Sequence, residues 1–185
     1  LNLKYKLTDD QNLRLAASKT YTLPQSKEMA PFAYVDVTNT TYGQSKIYPS
    51  DNYNADLKWE IFPNRDEVIS VAAYGKYIQN PISRVNVASA SANDLTYVNA
   101  GDWGYAYGLE AEMRKNIFKT EKGSKLYTIV NASVMNSKQE LNFDKVRSET
   151  GIATSFSKAE EQLTGASNFI GNLSLGWNST FKNDQ

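Results

Sequence analysis

The chain has 185 residues, 20 basic and 20 acidic side chains, no histidine and no cysteine. That composition excludes disulfide frameworks, thiolate metal sites, cysteine nucleophiles and any Ser-His-Asp triad, and the balanced charge without a basic block argues against nucleic acid. No apolar run approaches the roughly 18–20 residues of a transmembrane helix, an exclusion that leaves membrane-spanning strands untouched because their polarity alternates.

Alternation is what the chain displays from its first residue. Leu1, Leu3, Tyr5 and Leu7 alternate with Asn2, Lys4 and Lys6, and TDDQN then makes a turn. Leu13, Leu15 and Ala17 alternate with Arg14, Ala16 and Ser18. Leu57, Trp59 and Ile61 alternate with Lys58 and Glu60 before the turn PNRDE. Residues 67–79 form a fourth run, with Ile69, Val71 and Ala73 on its apolar side. A fifth begins near Tyr105 and contains GLEAEMRKNI, and FKTEKGS turns the chain into a sixth at 125–136. The seventh is FIGNLSLGWNSTF, with Phe169, Leu173, Leu175, Trp177 and Phe181 on one side. KAEEQL at 158–163 could form a helical turn or two, ASASAND at 88–94 is low-complexity loop, and no other helix is expected.

The links between runs alternate strictly in length. Those at 8–11, 63–66 and 117–123 are short, while those near 20–53, 80–102 and 137–166 are long. Compact soluble domains seldom carry structureless links beyond about 12–15 residues. An up-and-down barrel across the outer membrane has this asymmetry, with tight periplasmic turns and long external loops. Runs of roughly 10–13 residues also suit tilted strands crossing hydrocarbon. The expected fold is all-β: a segment of an antiparallel transmembrane barrel with about seven strands.

On that expectation the apolar row of each strand meets lipid and the polar row meets a wet or plugged lumen. Arg14, Lys58, Glu60, Glu110, Glu112 and Arg114 then form a charged belt at one level in the short-turn half, able to hold a polar plug or a charged solute. Ordinary solvation of a strand face is the alternative for each of them. Trp59, Phe62, Trp177 and Phe181 gather near the short-turn ends. Tyr21, Tyr74, Tyr77, Trp103, Tyr105 and Tyr107 gather near the long-link ends, as two interfacial girdles would. The other reading of these rings is the core of a sandwich.

Four segments resemble one family, the TonB-dependent outer-membrane receptors. LRLAASKTYTLPQSKEMAPF at 13–32 is similar to a strand and loop of that family, and YPSDNYNADLKWEIFPN at 48–64 to its next descending strand. EVISVAAYGKYIQNPI at 67–82 resembles the returning strand, and YGLEAEMRKNI at 107–117 the family's charged strand. After the first long loop YGQSKIYPS keeps only Gly43 and Pro49 of the family's usual pattern, and LTGASNF at 163–169 lacks its usual Arg.

The resemblance implies a receptor that takes up a scarce, large solute of siderophore, haem, cobalamin or glycan type, with no catalytic residue and no cofactor. It implies outer-membrane lipid, a plug domain, further barrel strands and the inner-membrane TonB complex as partners, in a Gram-negative outer membrane. Since such barrels have about 22 strands, residues 1–185 are expected to be roughly a third of one barrel wall, with the plug outside them. Phe32, Tyr34, Tyr42, Tyr48, Tyr97 and Trp103 are the candidate loop contacts for the solute. Two other readings stay open: a secreted β-sandwich that recognises glycan or protein, and an outer-membrane hydrolase built without histidine.

Overall fold

The computed structural model describes residues 1–89, 93–120, 123–154 and 156–179. β1 (Asn2–Lys6) and β2 (Gln11–Thr22) open the chain as a hairpin. The first long link then holds α1 (Ser26–Met29), β3 (Ala33–Val35) and β4 (Thr40–Tyr42). β5 (Ser50–Ile61) and β6 (Val68–Gln79) follow, and the second long link holds β7 (Ile82–Asn86) and β8 (Asp94–Asn99). Next come β9 (Trp103–Lys119) and β10 (Lys125–Glu140), with a register shift between Leu126 and Tyr127. The third long link holds α2 (Phe143–Thr150) and β11 (Glu160–Glu161), and β12 (Phe169–Asn178) ends the described chain.

Seven strands form one antiparallel wall in chain order: β1, β2, β5, β6, β9, β10 and β12, with β11 extending the far end of β10. Register separates its two faces. One cross-strand row reads Leu15, Leu57, Ala73, Leu109, Val134 and Phe169. The row beside it, on the opposite face, reads Arg14, Lys58, Ala72, Glu110, Ser133 and Ile170. Because the side-chain period is two, slipping any pair by one residue would exchange the faces. The apolar face has no second layer over it: Leu109 is 54% exposed, Leu173 69% and Leu175 67%. A sandwich would cover these residues. The sheet is not closed, and β1 and β12 each keep one edge unpaired among the described residues.

The long links are not structureless. β3, β4, β8 and β7 make a second sheet in that order, with β4 and β8 parallel. Val85, Val98, Ala100, Leu141 and Val146 are buried together beside it, with Phe156 packed on them. We refer to this unit as the cap. KAEEQL supplies β11 rather than a helical turn, because Glu160 and Glu161 pair with Glu140 and Gln139 and Lys138 binds the Glu160 carboxylate at 2.5 Å. The third link's helix lies instead at α2, where the Asn142 side chain caps the Lys145 N–H at 3.0 Å and Gly151 (φ 75°) ends it. Of the segment 88–94, residues 90–92 lie outside the described residues.

Candidate functional site

The polar face of the wall carries the predicted charges. Arg14, Lys58 and Glu110 lie on one cross-strand row, Glu60 and Glu112 on the next, and Arg114 on a third. All six share one face within three adjacent rows. Glu60 is the hub of one half: its carboxylate accepts from Arg14 Nε at 2.7 Å and is paired with Lys58 Nζ at 3.3 Å. With its side chain only 9% exposed, Glu60 depends on those cations for the solvation it has lost. Glu110 and Glu112 differ from it. They line a cleft of about 360 Å³ with Lys58, Ser70, Tyr74, Asn131 and Asn172. The structure therefore divides the belt into a paired cluster on β2 and β5 and two carboxylates facing open space on β9.

Arg114 stands 5.5 Å from the centre of the Tyr127 ring, a cation–π contact within the polar face. Tyr127 in turn lies over Gly176, and Tyr74 over Gly108 in the same manner. A Cβ on Gly108 would collide with the Val134 carbonyl oxygen and come within 2.7 Å of the Tyr74 hydroxyl oxygen, so only glycine fits beneath that ring on the neighbour strand. The sequence grouped Tyr74 with the rings of the long-link girdle. Register puts it on the polar face instead, opposite Gly108. A tyrosine facing a glycine in an adjacent strand would have been the signal for these pairs, but finding it requires the register.

The apolar face bears the aromatics in two bands. Tyr77, Trp103, Tyr105 and Tyr107 lie at the long-link end, where Trp103–Tyr105 and Tyr105–Tyr107 stack at 5.7 and 5.9 Å and Tyr53–Tyr77 meet at 6.4 Å. Lys19 stands 5.2 Å from the centres of both Tyr21 and Tyr53. Trp59 and Trp177 lie at the other end, Trp59 donating its indole N–H to Gln11 at 3.2 Å. Phe62 follows β5 directly but lies with Val68 and Arg114 of the polar face, opposite in side to Trp59, so it does not join that band. Phe181 lies outside the described residues.

The six loop aromatics are dispersed. Phe32 (67% exposed), Tyr34 and Tyr42 belong to the β3–β4 region and are open to solvent. Tyr97 lies across the β7–β8 ladder from Arg84. Trp103 continues the stacked row of the apolar face. Tyr48 is held from both ends: its hydroxyl donates to Glu149 at 3.2 Å, and its backbone N–H and carbonyl bond the Asn99 side chain at 3.0 Å each. Burial pushes the Tyr48 phenol above its ordinary value.

Around Asn99 the three long links are tied together, which sequence reasoning missed. Asn99, 3% exposed, also donates to the Asn80 carbonyl at 2.9 Å. Asn80 takes a positive φ of 53°. Lys145 from the third link donates to Asn80 Oδ1 at 2.8 Å, to the Gly101 carbonyl at 2.9 Å and to Asp102 at 2.6 Å. Burial alone would lower the Lys145 ammonium, but the Asp102 bond and the nearby Tyr48 outweigh it and hold the group above the ordinary lysine value. The cap also reaches onto the polar face of the wall, where Ser83 of β7 donates to the buried Gln139 of β10 at 2.7 Å.

Comparison with known proteins agrees with this architecture. The family model for the TonB dependent receptor-like β-barrel matches residues 1–184. The siderophore receptor PirA from Pseudomonas aeruginosa has a similar fold, with a TM-score of 0.58 at 13% identity over 76% of this chain and 30% of that one. A mutant of the ferric enterobactin receptor PfeA from Pseudomonas aeruginosa, in complex with enterobactin, gives 0.57 at 17% identity, over 97% of this chain and 25% of that one. The chain thus spans less than a third of the length of either structure. No match is found among curated protein sequences.

Proposed function

Because the chain belongs to the TonB-dependent receptor-like β-barrel family, we propose that residues 1–185 are part of one barrel domain in the outer membrane of a Gram-negative bacterium. The whole receptor takes up a scarce, large solute from outside the cell. The observation that carries this is the seven-strand antiparallel wall, with one uncovered apolar face, one charged face and two outer edges unpaired among the described residues. An open edge in hydrocarbon leaves backbone groups unsatisfied at several kcal/mol each, so further strands of the same protein complete the wall. Proteins of this family are receptors and transporters rather than enzymes.

In this reading the polar face looks into the lumen and meets the plug. Arg14, Lys58 and Glu60 form a self-paired patch, while Glu110 and Glu112 present carboxylates to it. Arg114 is braced by Tyr127 beside them. The solute is of siderophore, haem, cobalamin or glycan type, the first being what the two fold relatives receive according to their names. Phe32, Tyr34, Tyr42, Tyr97 and Trp103 are contacts open to trial, and Tyr48 would act from within the cap. Energy comes from the inner-membrane TonB complex acting on the rest of the receptor.

Epitope insertion in the full receptor tests this arrangement. A tag between Asp36 and Asn39 should bind antibody on intact cells, and a tag between Pro63 and Asp66 only after the outer membrane is opened. Equal labelling at the two places, or a receptor that stays in solution without detergent, would overturn the assignment.

A further inference from the structure

The cap sheet follows the chain order of the wall, with β7 joined to β10 through the Ser83–Gln139 bond. β3 and β4 come from the link between β2 and β5, β8 and β7 from the link between β6 and β9, and β7 continues into the third link through Val87 and Thr154. Its order β3, β4, β8, β7 therefore places the free edge of β3 on the β1 side, where the wall is also unpaired. The edge itself is fully formed. Gly43 N–H donates to the Phe32 carbonyl and Asp36 N–H to the Asn39 carbonyl, which makes Tyr34–Thr41 the intervening bonded pair. In an antiparallel ladder the alternate residues then turn their backbone groups away. The Ala33 and Val35 amides face outward, with no strand beyond them.

The side chains point to the same conclusion. β3 buries nothing on either face, with Val35 79% exposed and Val37 99%. A three-residue strand with no apolar burial is marginal when only one neighbour pairs with it. Pro31 and Asp36 bound this edge, and between them only the Ala33 and Val35 backbone is left open to a partner. We propose that the β3 edge is a docking surface for an extended, alternately apolar segment from the external link of the wall strand that neighbours β1, which pairs with Ala33 and Val35 and adds a strand to the cap. This rests on the barrel assignment above. The cap then extends around the mouth as one continuous sheet instead of separate loops, so whatever enters the barrel passes a rim of shared backbone bonds.

Residue-resolved hydrogen exchange on the full-length receptor in detergent micelles decides it. Tyr34 is the internal control for the existing ladder, and Lys4 reports the free edge of β1, where its amide also faces outward. The expected result is a Val35 amide slowed to within about tenfold of Tyr34, independent of receptor concentration. Val35→Pro, harmless on a free edge, should speed exchange at Tyr34. Protection at Lys4 with Val35 exchanging as fast as an open chain overturns the docked strand and keeps the wall. Fast exchange at both Lys4 and Val35 overturns the wall as well. Protection of Val35 only at high concentration makes the partner a second copy, which also overturns the proposal.

Discussion

The wall and the cap of this molecule are built by opposite rules. In the wall the described side chains that are buried are polar, namely Ser50, Asn52, Glu60, Ser70, Ser137 and Gln139, while Leu57, Leu109, Leu173 and Leu175 are exposed. In the cap and its links the order is the ordinary one: Ile47, Val85, Val98, Ala100, Leu141 and Val146 are inside. The hydrophobic effect acts on both, and the difference is where each region leaves water. In the proposed barrel, apolar wall residues leave it by facing acyl chains, whereas those of the cap must find one another. One chain thus records two solvents, and the boundary between them runs through the tyrosine band at the long-link ends of the strands.

The sharpest way to break that contrast is to put one charge into each region. Val98→Asp would bury an unpaired carboxylate at a site with no exposure. It is expected to destabilise the cap by about 4 kcal/mol or more, opening the link amides to hydrogen exchange while the wall strands stay protected. Loss of protection in β9 and β10 as well would mean that the two regions fold as one. Leu109→Arg in the wall should cost about 2–4 kcal/mol if that residue lies near mid-bilayer, measured by urea unfolding of the receptor in micelles. A cost near zero would remove the lipid contact on which the contrast rests.

Two smaller effects sharpen it. Lys145→Met removes three hydrogen bonds that join two links. A loss of about 1–3 kcal/mol is expected, seen as faster exchange in the second and third links together and none in the wall. Exchange that rises in the third link alone would show that the tie does not couple them.

The smallest effect is in the short turns. A hydrogen bond from Asn64 and another from the Asn116 N–H, at 2.7 and 3.0 Å, hold the Glu67 carboxyl below its ordinary value, and Lys125 does the same for Asp66. Both carboxylates therefore stabilise the turn fully above the usual carboxylate range, and the contribution fades as pH falls through their lowered values. Asn116 exchange relative to a Glu67→Gln receptor should converge between the two proteins in acid and diverge near neutrality. Parallel profiles would remove Glu67 from the turn's stability.

Much of the wall was legible in the chain. GLEAEMRKNI already separates Leu109, Ala111 and Met113 from Glu110, Glu112 and Arg114, and the ladders set the first three beside apolar neighbours on both sides, Ala73, Val71 and Ile69 on β6 and Val134, Ala132 and Val130 on β10. The link pattern announced which ends were short. Other features were within reach and passed unread: ISRVN and DLTYVN alternate as strands do, and Asn142 and Gly151 bracket α2 with ordinary helix signals. Tyr74 was misplaced because proximity in sequence to Tyr77 says nothing about side, and an odd separation puts the two on opposite faces.

Periodicity is a local property, dictated by how successive side chains leave an extended backbone, so residues 1–185 determined by themselves which face of each wall strand is greasy and which is charged. The tertiary structure decided everything that needs partners far apart in the chain. The parallel union of β4 with β8, the meeting of Tyr48, Asn80 and Lys145 around Asn99, and the pairing of Glu60 with Arg14 bring together residues 19 to 65 positions apart. No local pattern encodes such meetings, because they exist only once the strands have taken their register and the links have folded over them.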